Sequence, residues 1–214
     1  MGRFFTTFDE AWRFFLDRDH ELEDFFASFP VADEYVLGWL LPVEPSLRPA
    51  IARVQESFAQ LDWITPLRAD FLHVWIGAAA VAQHRPEAAE IASAVEAAGH
   101  LWADIEPFDL LYPRVNCFHD GVVAETRGDG PQRLLSRLVD AGVSRVPMDT
   151  FLPHLTLGVF NAPGDPKTLR DVLVPLRETE LGRQRVTEAL LCMVPGSRTT
   201  ILDQWEVVGS VAFG

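Results

Sequence analysis

Two histidines in this chain sit in matching text. Phe71-Leu72-His73-Val74-Trp75-Ile76-Gly77 and Phe151-Leu152-Pro153-His154-Leu155-Thr156-Leu157-Gly158 both read F-L-(P)-H-x-x-[I/L]-G once the extra Pro153 is allowed for. Short runs rich in apolar, β-branched and aromatic residues predict strands. Side chains alternate faces along a strand, which puts His154, Thr156 and Gly158 on one face and Leu155, Leu157 and Val159 on the other. By the same rule His73, Trp75 and Gly77 lie opposite Leu72, Val74 and Ile76. The apolar sets belong to a core, so the histidine sets must face something polar, such as a cleft. Two imidazoles across one cleft suit in-line displacement at phosphorus. One removes a proton from the attacking hydroxyl or water while the other protonates the departing oxygen, and an unperturbed pKa of about 6.5 serves both roles. A threonine two residues after a histidine can aim its hydroxyl at a non-bridging phosphate oxygen, where charge builds up. That scheme needs neither metal nor cofactor.

The elements that must hold these residues recur in order. Tyr35–Leu41, ending at Pro42, reads as a buried strand, and Pro45 and Ser46 open a helix through about Leu61 with Ile51, Val54, Phe58 and Leu61 on one stripe. After the His73 strand, Pro86 opens a helix from Glu87 to Ala98 that Gly99 should stop. Strands are expected near Trp102–Leu110, Arg114–Phe118 and Val122–Thr126. The second half repeats the plan. A helix opened by Pro131 carries Leu134, Leu135, Leu138 and Val139, the His154 strand follows, Pro166 opens another helix, and strands close the chain near Val186–Met193 and Thr200–Val208. Strand, helix, histidine strand, helix and strands thus appear twice, as an internal duplication would give. Ahead of this pattern, residues 7–29 predict one amphipathic helix with Phe8, Trp12, Phe15, Leu16, Leu22, Phe25 and Phe26 at helical spacing. Its aromatic face is expected to pack on the main body; the alternative is a helix that binds a partner. The division is therefore a helical extension over 1–30 and a single bilobal domain over 31–214.

Composition narrows the functional classes. The 214 residues are 48% hydrophobic, enough for a packed interior, and carry a net charge of −13 from 31 acidic and 18 basic side chains. Such a surface repels long polyanions, so a general grip on nucleic-acid duplexes is not expected, whereas one phosphate group in a local pocket is compatible with it. Arg68, Arg114 and Arg145 are candidates for local positive charge. Cys117 and Cys192 stand alone in apolar sequence and read as buried free thiols in a reducing compartment. No signal-peptide pattern and no run of about eighteen apolar residues appears, which points to a cytoplasmic protein with no membrane contact. His20, His84, His100 and His119 show no partner spacing and read as surface or structural; His119-Asp120-Gly121 reads as a turn between strands rather than the helical dyad of a metal phosphohydrolase. The signatures of zincins, P-loop enzymes, α/β-hydrolases and simple dinucleotide folds are absent.

The paired motifs resemble those of the 2H phosphoesterases, a family that includes bacterial RNA 2′,3′-cyclic phosphodiesterases, also called 2′-5′ RNA ligases, and carries two H-x-[T/S]-x motifs on equivalent strands. His154-Leu155-Thr156-Leu157 matches the second motif in full. His73-Val74-Trp75-Ile76 matches the first except at Trp75, which stands where the hydroxyl should be. The resemblance in element order runs from about Tyr35 to the C-terminus. It implies an α+β, bilobal, pseudo-two-fold fold of two mostly antiparallel sheets with flanking helices and a cleft between the lobes. It further implies a monomeric, metal-independent hydrolase in RNA processing that acts on a 2′,3′-cyclic phosphate or a related small nucleotide or RNA-end diester. His73 and His154 would be the acid–base pair and Thr156 a phosphate donor; Trp75, on the predicted face of His73, is either a wall for a base or sugar or a core residue. Trp75 also motivates a second reading: a catalytically attenuated protein that keeps the cleft and binds a nucleotide or phosphorylated ligand.

Overall fold

A computed structural model of the chain describes residues 5–25, 35–144, 148, 151–195 and 205–214. The elements in order are α1 (Phe8–Asp17), β1 (Tyr35–Pro42), α2 (Arg48–Phe58), β2 (Ile64–Pro66), β3 (His73–Ala82), α3 (Ala88–Leu101), β4 (Phe108–Tyr112), β5 (Val115–Cys117) and β6 (Gly121–Glu125). There follow α4 (Gly130–Asp140), β7 (His154–Phe160), α5 (Pro166–Leu173), β8 (Gly182–Val186), β9 (Glu188–Pro195) and β10 (Glu206–Ala212). The duplicated order is thus present, with α+β architecture, antiparallel strands and flanking helices.

The two halves meet strand to strand. An eight-stranded sheet runs β10-β9-β1-β3-β7-β6-β5, with β2 also pairing β7, and β4 and β8 form a separate two-stranded sheet. The seam between the halves is the β3–β7 contact, where Val74 is the antiparallel partner of Leu155. The helices cross over this seam. Phe58, at the end of α2 in the first half, packs under Gly158 of β7, while Leu135 of α4 in the second half packs under Gly77 of β3. Both contacts are close: an added Cβ would come within 3.0 Å of Phe58 and 3.2 Å of Leu135, so the helix side chain would have to give by a few tenths of an ångström.

Those glycines correct the face assignment made from strict alternation. Trp39 pairs with Gly77 and Leu40 with Trp75, so Ile76 is an extra residue in β3. Val122 pairs with Gly158 and Val123 with Thr156, so Leu157 is extra in β7. Each histidine strand therefore carries a bulge at the same motif position, and the glycine after it turns away from the histidine face toward the opposite half's helix. The carbonyl of the bulged Leu157 accepts bonds from Gln55 Nε2 at 2.8 Å and from the Leu67 amide at 2.9 Å, so the kink leaves no buried acceptor unpaired.

Helix boundaries also differ from expectation: the segment expected as one helix from Pro45 to about Leu61 is a short 3-10 turn, Pro45–Leu47, followed by α2, which stops at Phe58. The N-terminal helix is capped at Thr7, whose hydroxyl accepts from the Glu10 amide, and it ends at Asp17 because Arg18 turns extended. Arg18 then bonds the carbonyls of His20 and Glu21, and Leu22 bridges Gly164 instead of continuing the helix; the 26–29 portion of the expected helix lies outside the described residues. Its apolar side, with Ala11 and Phe15 buried, packs on the body and is not presented to a partner. Helix α3 runs through Gly99 to Leu101. Glycine there costs about 1 kcal/mol, and the extra turn seats Trp102 edge-on to Trp39 at 4.8 Å with its indole N–H on the Leu134 carbonyl. Burying that ring outweighs the glycine penalty. Trp102 is accordingly a helix cap rather than the start of a strand. The final strand begins at Glu206, and the 200–204 part of the expected strand lies outside the described residues.

Candidate functional site

His73 and His154 open β3 and β7, the two strands at the seam. With Val74 opposite Leu155 in antiparallel register, the next cross-strand positions are His73 beside Thr156 and Trp75 beside His154. All four side chains are half-buried, whereas Val74, Leu155 and Leu157 between them are fully buried. The four residues singled out from the sequence thus form one quartet around a pseudo-two-fold axis, on the face opposite the core.

Both imidazoles are held the same way. His73 Nδ1 lies 2.7 Å from the Phe71 carbonyl and His154 Nδ1 lies 2.7 Å from the Leu152 carbonyl, each two residues back on its own chain. A carbonyl only accepts, so each Nδ1 carries the proton and each Nε2 is left for a ligand. Thr126 Oγ1 donates to the Pro153 carbonyl at 2.6 Å and steadies the approach to His154. Burial holds the pKa of both imidazoles below the ordinary value, against the carbonyl bonds that favour the charged form. The field of His154 lowers His73 further. At His154, Asp120 favours the proton and His119 opposes it.

The surroundings break the symmetry. Phe71 and Trp205 flank His73, with the Trp205 ring 5.5 Å from the imidazole, and the Trp75 ring lies at 6.5 Å. The indole of Trp75 lies over Gly38 of β1, where an added Cβ would fall 1.8 Å from ring carbon Cη2. At His154 the neighbour is Phe118, edge-on at 4.7 Å, from the turn that also holds His119 and Asp120. His119 is therefore not a remote structural residue. Its Nδ1 is buried with no hydrogen-bond partner among the described residues, and its Nε2 sits 3.6 Å from the Asp120 carboxylate. The sequence reading missed Phe118, Trp205 and the Asp120 field, which come from turns whose approach to the histidines is set by topology.

The candidate cations are engaged elsewhere. Arg68 pairs with Asp70 at 2.6 Å on the surface and Arg114 with Glu178 at 3.1 Å; Arg145 lies outside the described residues. No cluster of three or more metal-ligating His, Cys, Asp or Glu side chains forms among the described residues. A cavity of about 520 Å³ lies on the other side of the sheet, between α3 and Leu37, Trp39 and Ala79, with a mostly apolar lining unsuited to phosphate. Cys117 and Cys192 are free and buried, and burial raises both thiols, Cys192 to about 12, so neither supplies a thiolate. No helix of the described residues is long and apolar enough to cross a membrane.

The overall fold is that of the LigT-like 2H phosphoesterases. Among solved structures, TT0787 of Thermus thermophilus superposes with a TM-score of 0.65 at 18% identity, covering 83% of this chain and 97% of that one. E. coli LigT in complex with 3′-AMP gives 0.60 at 18% identity, over 85% of this chain and 99% of LigT. LigT in complex with phosphate gives 0.61 at 17% identity, over 85% and 99%. No protein-family model and no curated protein matches the sequence.

Proposed function

We propose that the protein is a metal-independent phosphodiesterase for a 2′,3′-cyclic nucleotide or a related small RNA-end diester. The observation that carries this reading is the matched Nδ1–carbonyl lock on His73 and His154, which leaves two Nε2 atoms for a ligand on one face at a strand seam. His73 Nε2 takes a proton from water as the oxygen attacks phosphorus. The bond from phosphorus to one ribose oxygen breaks, and His154 Nε2 protonates that oxygen. Burial lowers both imidazoles alike; Asp120 supports this assignment, because its carboxylate favours the protonated form of His154, while the field of His154 favours neutral His73. Thr156 donates to a non-bridging oxygen, and Trp75 and Trp205 offer flat surfaces to a base. Structures of E. coli LigT with 3′-AMP, ATP and NADP+ make a nucleotide the natural first ligand to test.

The experiment is hydrolysis of 2′,3′-cyclic AMP with and without EDTA. Turnover that survives chelation supports the reading, and turnover that EDTA abolishes contradicts it. Trp75, in the place of a second hydroxyl donor, favours one alternative: a nucleotide-binding protein with attenuated catalysis, which would bind 3′-AMP without turning over the cyclic ester.

A further inference from the structure

The N-terminal helix lies ahead of the duplicated pattern, yet its rings reach the histidine site through a single intermediary. Phe8 stacks on Phe118 with centroids 6.2 Å apart and planes at 20°, and the buried Phe5 meets the same ring at 5.9 Å. Phe118 in turn presses edge-on to His154 at 4.7 Å. A polar route runs alongside. Asn116 Nδ2 donates to the Phe8 carbonyl at 2.9 Å and to Glu125 at 2.7 Å, and Glu125 is the cross-strand partner of His154. Arg177 pairs with Glu125, donates to the Val115 carbonyl at 2.6 Å, stands 4.7 Å over the Trp12 ring, and lies 3.7 Å from Asp9. At the other end of the helix, Arg170 Nη1 donates to the carbonyls of Phe15, Leu16 and Arg18, where a helix C-terminus leaves acceptors short of partners.

We propose that α1 is a positioning element of the site: through Phe118 and the Asn116–Glu125–Arg177 network it fixes the ring of His154 and keeps water from its flank. This rests on the two-histidine reading for its effect on turnover, but not for its effect on His154 itself. Among the described residues His73 has no such brace from α1; its aromatic neighbours there are Phe71, Trp75 and Trp205. Among the described residues, the charged and titratable groups around His154 are Asp120 and His119 from the β5–β6 turn, Glu125 with Arg177 on the β6 side, and His73 across the seam. None of these is altered by changing Phe8.

The test is an NMR titration of the histidine rings in the full-length protein, paired with kinetics on 2′,3′-cyclic AMP. Phe8→Ala removes the stacked ring at the far side of Phe118. The His154 titration should move up toward the ordinary value as water reaches its flank, with His73 unmoved, and kcat should fall about tenfold with KM nearly unchanged, as expected for a misaimed proton donor. Phe8→Tyr keeps the ring and should restore both readouts. Phe118→Leu, which keeps apolar volume but loses the edge contact, serves if Phe8→Ala does not fold, and should shift His154 in the same direction. A folded Phe8→Ala or Phe118→Leu protein with a lowered Tm but a wild-type His154 titration would overturn the proposal and leave α1 a stabilising strap only. If the wild type hydrolyses no cyclic nucleotide, the phosphodiesterase reading fails while the titration still decides the role of α1.

Discussion

The His73 and His154 strands are built on one plan and furnished differently. Each begins with a histidine locked by its Nδ1 to the carbonyl two residues back, carries a bulge at the fourth motif position, and follows it with a glycine that admits a helix from the opposite half. What differs is the contents of the shared face. On β7 the motif carries a threonine at its hydroxyl position, and a nearby carboxylate and a phenyl edge flank the imidazole. At β3 the hydroxyl position holds an indole laid over Gly38, and a second indole, Trp205, flanks the histidine. The frame that aims the two Nε2 atoms is thus duplicated, while the groups that would touch phosphate and base are specialised. Under the proposed function, such a frame would serve a symmetric acid–base pair acting on an asymmetric substrate.

The largest expected effect comes from making the halves alike. Trp75→Thr places a second hydroxyl beside His154, as Thr156 lies beside His73. One oxyanion donor is worth about 2–4 kcal/mol in the transition state, so kcat for small 2′,3′-cyclic nucleotides should rise, while affinity for 3′-AMP falls as the flat surface is lost. Steady-state kinetics and calorimetry check both, with circular dichroism confirming the fold. Unchanged kcat and affinity in a folded variant would make Trp75 a bystander, and a gain in kcat alone would mark an attenuated enzyme. A loss of affinity alone would favour the binding-protein alternative.

Gly38→Ala probes the same indole from beneath. The new Cβ cannot coexist with the ring in its present place, so the indole must swing off β1. Nucleotide affinity should weaken several-fold while the pH dependence set by the histidines is kept. Affinity equal to wild type would remove Trp75 from the binding surface.

The Asp120 field gives a smaller, directional test. Both imidazoles have lowered pKa values, so the bell of kcat/KM against pH should centre below about 6.5 in the free enzyme, its limbs belonging to the coupled pair. Asp120→Asn removes the carboxylate that favours protonated His154 and should move the alkaline limb to lower pH with the acid limb nearly fixed. Movement of the acid limb instead would exchange the roles of the two histidines. Folding stability should follow the same shifts. Between the unfolded pKa, about 6.5, and the lower folded values, the unfolded chain binds more protons, so stability is full above about pH 6.5 and is lost as pH falls through that window. Urea unfolding at several pH values checks the sign.

Much of this plan was legible in the text of the chain. The F-L-(P)-H-x-x-[I/L]-G repeat gave the quartet of His73, Trp75, His154 and Thr156, and prolines at helix starts marked the element order. The bulges were not legible, because strict alternation carries the glycine onto the histidine face. Only register shows that Ile76 and Leu157 are extra residues, although a glycine at the same place in both copies was a usable hint. Phe118, Asp120 and Trp205 lie far from both motifs in sequence and reach them by strand order, which no local period encodes. The length of α1 was overread for a similar reason. Phe25 continues the helical spacing, but the side chain of Arg18 and the bridge from Leu22 to Gly164 take the backbone elsewhere.

The central claim is that His73 and His154 act as one unit on one phosphodiester. A double-mutant cycle on 2′,3′-cyclic AMP hydrolysis tests it most directly, using His73→Ala, His154→Ala and the double variant. Removing a general acid or base costs about 10²- to 10⁴-fold, and groups that act as a unit lose little more when both are removed. The account predicts that each single variant falls to near the background rate and that the double variant is no slower. Losses that multiply, or either single variant retaining wild-type turnover, would contradict it.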